Sequence, residues 1–428
     1  MLGALAHISP LAAAGVTCTI ATGTAVVALN PTIVMAVAAF LTTATPKAGV
    51  TVGAFPIPFV MLLLFVVVPI LRGRAKPSPT SAGRLAAMAL AWLGACLVGM
   101  VFNGGSLGDM AALVGWYGLP IVLLLAGPAV GSLQGEEGRR WVAALEFGML
   151  AACSFALVQQ VFGIDRTTIP GLTLSAGADY SLKPLRFVGG TKIPSTYQNG
   201  NVFGVATGFF FLIAAHRILG GLSGRRDKVM LLATATATLL SGSRTVVLGL
   251  LLGSIILVLR SRVSRRTIGV ALGVAGMTLC VLAFSPALAD RLFTTTAQDP
   301  NVVVRTSSWS RLMAASSLSE IVVGGPTWVG DTPEDRAEGV VGAVQQVGLV
   351  GMALAVAAVL AATSRPELRR WRLILIPVAV SLAVDSAYLV FPTLFIPLAR
   401  MFAPLDHERE TAPAPPHGPA ARTTSLLS

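Results

Sequence analysis

Long apolar runs, many of them separated by clusters of basic residues, constrain the fold of this sequence more than any other feature. A helix needs about 20 apolar residues to cross the hydrocarbon core of a bilayer. Clear runs lie at about 54–71, 84–102, 109–126, 141–162, 199–219, 228–241, 244–260, 267–285, 338–362 and 371–400. A further run over 11–45 is broken at Asn30-Pro31, and Asp385 with two prolines interrupts the last run. The pattern predicts an all-α polytopic membrane protein with about 12 transmembrane helices.

The composition excludes most soluble classes. Hydrophobic residues make up 54% of the chain, charged residues only 12%, and the mean hydropathy is +0.77, whereas soluble domains are roughly 25% charged. The net charge of +12 does not point to nucleic acid, because the basic residues sit in short clusters between apolar runs. All four cysteines lie inside apolar runs, where a small apolar side chain is the simplest interpretation, and we expect no metal site and no cofactor.

The basic clusters also predict which connections share a side of the membrane, since cytoplasmic loops carry an excess of Lys and Arg. Five clusters recur on the predicted cytoplasmic side: Arg72 to Arg84, Arg139-Arg140, Arg217 to Lys228, Arg260 to Arg266 and Arg365 to Arg372. The alternation leaves three connections on the outer face: residues 163–198, the turn at 241–244, and one large extracytoplasmic loop at 285–337. We therefore expect a single transmembrane domain over 1–403 and a disordered, Pro/Ala/Thr-rich tail over 404–428.

Several polar residues of the outer connections are candidates for a binding site. Arg244 begins an apolar run, where its guanidinium either grips an anion such as phosphate or reaches the lipid headgroups. Asn199 and Asn201 stand at a helix start, where they either bind a ligand or cap the helix. Trp309 opens a predicted amphipathic segment over 309–323, and it is either a ligand contact or an interfacial anchor.

The order of the polar motifs resembles that of a bacterial envelope family. The motifs are Ser195-Thr-Tyr-Gln-Asn-Gly-Asn201-x-Phe-Gly204, Ser241-Gly-Ser-Arg244, Asp290-Arg291-Leu292, Arg305-x-x-x-Trp309 followed by Gly324-Gly325, and Gln346-x-Gly348-Leu-Val-Gly351. Together they span roughly residues 140–360 and resemble the O-antigen ligase and O-antigen polymerase superfamily. Each motif has low specificity, and the resemblance rests on their order, spacing and common predicted side.

The resemblance implies a multi-pass protein of the bacterial cytoplasmic (inner) membrane with its active site on the extracytoplasmic side. Its members transfer glycan from a polyprenyl-diphosphate carrier to a glycan or glycolipid acceptor without a metal or a nucleotide sugar. It implies that Arg244, Arg291 and Arg305 hold the carrier diphosphate, and that the other partners are the acceptor and membrane lipids.

The sequence departs from the family at the expected base. Many members carry a His-Asn pair eleven residues before the Gly-Leu-x-Gly step, but here that count from Gly348 reaches Ala337-Glu338. The family's acidic residue two positions before the glycine is Gln346. A carboxylate would therefore have to activate the acceptor hydroxyl. The candidates are Asp331, Glu334, Asp335 and Glu338, with Glu338 first and Asp335 second, and the alternative for each is a solvated loop acid.

Two other functional classes remain open. A transporter or flippase of a lipid-linked or anionic solute would also have about 12 helices and cations along its path. Against it, charged residues cluster in the outer connections and are almost absent from the middle of the apolar runs, Asp385 excepted. The missing histidine favours a non-catalytic scaffold of an envelope polysaccharide synthesis complex.

Overall fold

A computed structural model describes part of the chain, concentrated in its middle. The described residues are 31–45, 49–52, 55–58, 81–105, 110, 135–169, 184–185, 190–197, 200–219, 224–243, 246–247, 249–250, 253–255, 269, 307, 310–311, 314–325, 344, 347–354 and 356–357. The predicted spans at 109–126, 267–285 and 371–400 and the predicted disordered tail lie largely or wholly outside these residues. The count of about 12 helices and the large loop as a whole therefore stay predictions.

The described part of the chain is mainly α-helical. Its helices are α1 Pro31–Ala44, α2 Ser81–Phe102, α3 Gly135–Phe162, α4 Gly200–Leu219, α5 Arg225–Leu240 and α6 Leu318–Val323. The first five agree with predicted apolar runs to within a few residues at most ends, and α1 begins at Pro31, where the run over 11–45 was expected to break. Proline suits a helix start because its missing N–H has no partner there in any case.

Four short strands modify the all-α prediction. Strands β1 Gly49–Val52 and β2 Phe55–Pro58 form one antiparallel pair, and β3 Pro184–Leu185 and β4 Gly190–Thr191 form another. The predicted span over 54–71 therefore begins as a strand and not as a helix. Pro56 and Pro58 explain this, because proline donates no helical hydrogen bond and disfavours the α conformation of the residue before it.

Helices α1, α3, α4 and α5 pack into one helix core. Its large buried side chains include Trp141, Met149, Phe203, Phe209 and Leu212. The chain direction alternates between α3 and α4 and between α4 and α5. Neighbouring helices are thus antiparallel, as the short connection from 219 to 225 requires.

Small and hydroxyl-bearing residues allow the helices of the core to approach closely. A Cβ added at Gly148 of α3 would collide with the Phe40 carbonyl and with the Thr43 hydroxyl of α1. The hydroxyls of Thr207 on α4 and Thr238 on α5 lie 2.7 Å apart, and both also bond to carbonyls of their own helices. Such contacts are typical of helices that associate in lipid, where polar groups need partners inside the protein.

A second packed group joins α2, α6 and the helical residues 347–354. Cys96, Met100 and Val347 form its buried centre, and Trp92 Nε1 donates to the carbonyl oxygen of Gly351 over 2.6 Å. Gly348 has a φ of 69°, and a Cβ there would lie 2.5 Å from the Val322 carbonyl oxygen. Glycine is therefore required at 348 for both its conformation and its contact.

The predicted amphipathic segment over 309–323 is interrupted. The described residues 310, 311, 314 and 315 are helical, but Ser317 then has an extended backbone and caps a new helix, α6, by accepting from the Glu320 N–H. Helix α6 ends at Val323, directly before the predicted glycine pair, and its C-cap Gly324 has a φ of 89°. Local capping by Ser317 accounts for the interruption, since serine satisfies the free N–H groups of a helix start.

Two of the described helices are long and apolar enough to cross a membrane, Gly138–Phe162 within α3 and Gly200–Leu219. Helix α3 also leaves large apolar side chains exposed, among them Phe147, Leu157 and Val161. A soluble surface rarely presents so many together. Length, composition and exposure thus agree with the class of protein predicted from the sequence.

Candidate functional site

The segment 192–197, between β4 and α4, forms a tight buried turn at one end of the helix core. The Tyr197 N–H donates to the Pro194 carbonyl over 2.9 Å, and Ser195 has a φ of 53°. A non-glycine residue in this left-handed region costs roughly 1–2 kcal/mol, and such strain persists only where surrounding contacts hold it. Ser195 is therefore held in place by its neighbours.

The contacts that hold Ser195 and its turn come from two helices, α3 and α1. The Ser195 hydroxyl donates to the Ala152 carbonyl over 2.7 Å, and Gln159 Nε2 donates to the Ser195 carbonyl over 3.2 Å. The Tyr197 hydroxyl, on a fully buried side chain, donates to the Thr43 carbonyl of α1 over 2.8 Å. Buried hydrogen bonds of this kind contribute about 1 kcal/mol each, which is enough together to offset the strain at Ser195.

The start of α4 lies directly against the turn that follows α5. A Cβ added at Gly200 would lie 2.5 Å from the Ser241 carbonyl oxygen, and one added at Gly204 would lie 2.5 Å from the Ser241 hydroxyl. Ile193 N–H also donates to the Leu240 carbonyl over 3.4 Å. The motif over 195–204 and the motif beginning at Ser241, which are about 40 residues apart in the sequence, are thus in contact.

Lys192 places an ammonium group beside the start of α4, where that helix meets the turn 241–243. Lys192 Nζ donates to Asn201 Oδ1 over 2.5 Å, and the Lys192 side chain packs beside Gly200. Helix α4 starts at Gly200, so its positive end points toward the same region. A lysine beside a helix N-terminus favours an anionic ligand such as phosphate.

Two buried polar atoms in this region have no hydrogen-bond partner within the described residues, Thr196 Oγ1 and Gln159 Oε1. Buried polar side-chain atoms normally have one, because leaving a group unsatisfied costs about 1–3 kcal/mol. We name residues 192–197, 200–201 and 241–243 together with Gln159 the polar end of the helix core. Its polar side chains are hydroxyls and amides with one ammonium group, suited to hydrogen bonding with a polar ligand.

The opposite end of the helix core holds a cluster of four charged side chains, which we name the charged end. Arg217 contacts Glu146 over 3.1 Å and Asp227 over 3.2 Å, and Arg226 Nε lies 2.9 Å from Glu146 Oε2. Both acids are buried. Two positive charges thus balance two negative ones, as buried charges require.

Further contacts hold the charged end. The Arg226 guanidinium lies 4.6 Å from the centre of the Phe147 ring and donates to the Ala143 carbonyl over 2.7 Å. Asp227 Oδ2 accepts from the Gly224 N–H over 2.8 Å and so caps α5. Glu146 lies inside the predicted run 141–162, which makes it an exception, beside Asp385, to the expectation that the middle of the runs lacks charge. The sequence did not single out Glu146, because one acid barely lowers the mean hydropathy of the run 141–162.

The contacts at each end of the helix core bring together connections that are predicted to lie on the same side of the membrane. Arg217 and Arg226, from one predicted cytoplasmic connection, meet α3 near the cluster Arg139-Arg140 of another. Gln159 near the other end of α3 donates to Ser195 of the connection 163–198, which is predicted on the opposite side. Gly200 at the start of α4 lies against Ser241 of the turn 241–244, predicted on that same side. Glu146 and Gln159 are 13 residues apart, about 20 Å along the helix.

Most of the predicted site residues lie outside the described part of the chain. Asn201 is the exception: it is buried and bonded to Lys192. The candidate bases Glu338 and Asp335, the three arginines Arg244, Arg291 and Arg305, and Asn199 and Trp309 are all outside. Sequence reasoning did not select Lys192, Ser195, Tyr197 or Gln159, although the first three lie in or beside the quoted motif.

Searches against protein-family models, curated proteins and solved structures found no match to this chain. Among the described residues no group of three or more His, Cys, Asp and Glu side chains could hold a metal ion. The interpretation of the site therefore rests on the contacts described above and on the sequence motifs.

Proposed function

We propose that this chain is a multi-pass membrane glycosyltransferase that moves glycan from a polyprenyl-diphosphate carrier to a glycan or glycolipid acceptor at the outer face of the cytoplasmic membrane. The observation that supports it best is the contact between the 195–204 motif and the turn 241–243. These are two of the motifs on which the resemblance to the O-antigen ligase and polymerase superfamily rests. Their contact is expected if both contribute to one site.

The local chemistry suits the proposed donor. Arg244 directly follows Ser243 in the sequence, and Lys192 stands at the adjacent helix start. A diphosphate needs several positive charges and N–H donors around it. In the proposal these groups bind the carrier together with Arg291 and Arg305, while Asn199, Asn201 and Trp309 contact the glycan or the acceptor.

The reaction we propose is a single inverting displacement. An acceptor hydroxyl attacks the anomeric carbon of the carrier-linked sugar, and the bond from that carbon to the diphosphate oxygen breaks. Glu338 or Asp335 takes the hydroxyl proton, and the arginines stabilise the negative charge that develops on the departing diphosphate. The step needs no metal and no covalent enzyme intermediate.

The test is the size distribution of carrier-linked and envelope-linked glycan in cells that lack the protein, complemented with wild type, Arg305→Ala or Arg311→Ala. Arg311 is a matched control, since it is an exposed arginine of the same predicted loop outside the proposed site. We expect Arg305→Ala to fail and Arg311→Ala to complement. Single repeat units on the carrier would identify a polymerase, and long chains retained on the carrier would identify a ligase.

An unchanged glycan profile in cells lacking the protein contradicts the proposal. If Arg305→Ala complements fully, Arg305 does not bind the donor. A scaffold, the non-catalytic alternative, predicts that Arg244 and Glu338 can both be replaced without loss of glycan.

One observation favours the transporter alternative. Glu146 is a buried acid within a candidate span, and ionisable residues inside the membrane often mark ion or substrate paths. Its two arginine partners indicate a structural role more strongly, because they neutralise it. A transporter would lose substrate movement in Glu146→Gln while the protein still folds and inserts.

A further inference from the structure

The charged end carries exposed cations that do not belong to its ion-pair cluster. Arg139 of α3 and Arg225 and Lys228 of α5 are all exposed, and none of them forms an ion pair within the described residues. The acids of the cluster are already balanced by Arg217 and Arg226. Outside the cluster, the one acid with a described side chain at this end is Glu136, and it pairs with Arg140.

Helix stability does not account for these cations. Arg225 is the first residue of α5 and Lys228 the fourth, so both lie at the positive end of the helix dipole. Cations there are unfavourable by roughly 0.3–1 kcal/mol each, and anions are favourable by the same amount. A negatively charged group outside the helix would be attracted by both the cations and the helix end, and would offset this cost.

Exposed apolar side chains begin directly beside the basic residues. Phe147 on α3 is 58% exposed, and on α5 Val229 is 47% and Leu232 is 39% exposed. In water, each Å² of this surface would cost about 25 cal/mol. The order of exposed cations followed by exposed hydrocarbon matches the order of lipid phosphates and acyl chains across a membrane surface.

We propose that Arg139, Arg225 and Lys228 form a binding surface for the phosphate groups of anionic phospholipids in the leaflet that contacts the charged end. The acyl chains of those lipids lie along Phe147, Val229 and Leu232. The N–H groups at the start of α5 add to the attraction for phosphate. The proposal requires that the helices span a bilayer, and it is independent of glycan transfer.

The test measures lipid affinity of the full-length protein in neutral detergent by native mass spectrometry, with phosphatidylglycerol and phosphatidylcholine as probes. The variant is Arg139→Gln/Arg225→Gln/Lys228→Gln. Since each basic residue near an anionic surface contributes about 1 kcal/mol, phosphatidylglycerol affinity should fall by at least about tenfold. Phosphatidylcholine affinity should be unchanged.

A matched control separates this surface from a general effect of charge. Arg166 is exposed in the 3₁₀ turn Asp165–Thr167 beyond the other end of α3. Arg166→Gln should bind phosphatidylglycerol like wild type, whereas the single variant Arg225→Gln should bind it several-fold more weakly. Replacing Arg225 by Lys should restore the affinity.

Equal affinities of wild type and the triple variant would overturn the proposal, and so would an equal loss in Arg166→Gln and Arg225→Gln. If the triple variant unfolds, as judged by its thermal midpoint, the single variants decide the question. All three side chains are exposed, so we expect folding to be unaffected.

Discussion

The two ends of the helix core solve the problem of burying polar groups differently. At the charged end, four side chains pair with one another across three helices, Glu146 with Arg217 and Arg226, and Arg217 with Asp227. At the polar end, side chains mostly bond to backbone carbonyls, as Ser195 and Tyr197 do. Ion pairs hold the charged end, and hydrogen bonds from side chains to backbone carbonyls hold the polar end.

The difference indicates where a ligand can bind. The charged cluster is internally neutral, so it offers little net charge to a ligand inside the core. The polar end has a strained residue, Ser195, and Lys192 beside the start of α4. Backbone strain is typical of functional sites.

The largest loss of stability should come from a substitution in the charged cluster. Glu146→Gln leaves two arginines without their shared acid. Removing one partner of a buried ion pair costs about 3–5 kcal/mol, but the arginines are a third exposed, which reduces the loss to about 2–3 kcal/mol. Thermal unfolding in detergent measures it. Glu136→Gln, which removes an exposed pair, is the control and should cost well under about 1 kcal/mol.

The next effect should come from the glycine contact at the polar end. Gly204→Ala places a methyl group 2.5 Å from the Ser241 hydroxyl, and such overpacking costs about 1–3 kcal/mol. Adding Ser241→Gly should recover part of the loss in thermal stability. Gly94→Ala in α2 meets nothing within 4 Å, so it should be neutral or stabilise by up to about 1 kcal/mol. Equal losses in the two alanine variants would contradict the close contact.

A smaller effect is expected from one hydrogen bond. Tyr197→Phe removes the donor to the Thr43 carbonyl and should lower stability by about 1 kcal/mol. The ring itself should stay packed against Phe203, whose ring centre lies 5.3 Å away. Tyr197→Ala, which also loses that packing, should be clearly less stable. If Phe and Ala at 197 were equivalent, the buried position of the ring would be wrong.

A difference in stability of similar size is expected from the backbone strain at Ser195. Ser195→Gly and Ser195→Ala both lose the bond to Ala152, but only glycine adopts a φ of 53° without cost. The glycine variant should therefore be more stable than the alanine variant by about 1 kcal/mol. The difference between their thermal midpoints measures this. An alanine variant at least as stable as the glycine variant would remove the case for strain.

Much of the helix pattern in the described region could be predicted from the sequence, because the helices coincide with long apolar runs that are visible in the sequence itself. The start of α1 at Pro31 and the end of α6 directly before Gly324 followed from backbone chemistry. The β2 strand was missed because an apolar run does not reveal its backbone conformation. The pairing of Glu146 with Arg217 could not be predicted either, since it joins residues 71 positions apart.

The candidate site, like the fold, could be predicted from the sequence only in part. The types of residue at 195–204 and 241–243 suggested a polar junction, but which atoms meet depends on backbone geometry that no motif encodes. The strain at Ser195 and the role of Gln159 depend on the packing of α3 against this turn. No sequence motif identifies Gln159 as a site residue, because only its contact with Ser195 reveals that role.

The hydroxyl contact between Thr207 and Thr238 has a consequence for the order of assembly. It spans 31 residues of sequence, whereas the bond from Tyr197 to Thr43 spans 154. Because contacts between nearby residues form fastest, we expect the hairpin of α4 and α5 to assemble first. Its threonines already satisfy each other and their own helices. The hairpin can thus form with these hydroxyl donors already satisfied, and the turn at 192–197 can pack against it afterwards.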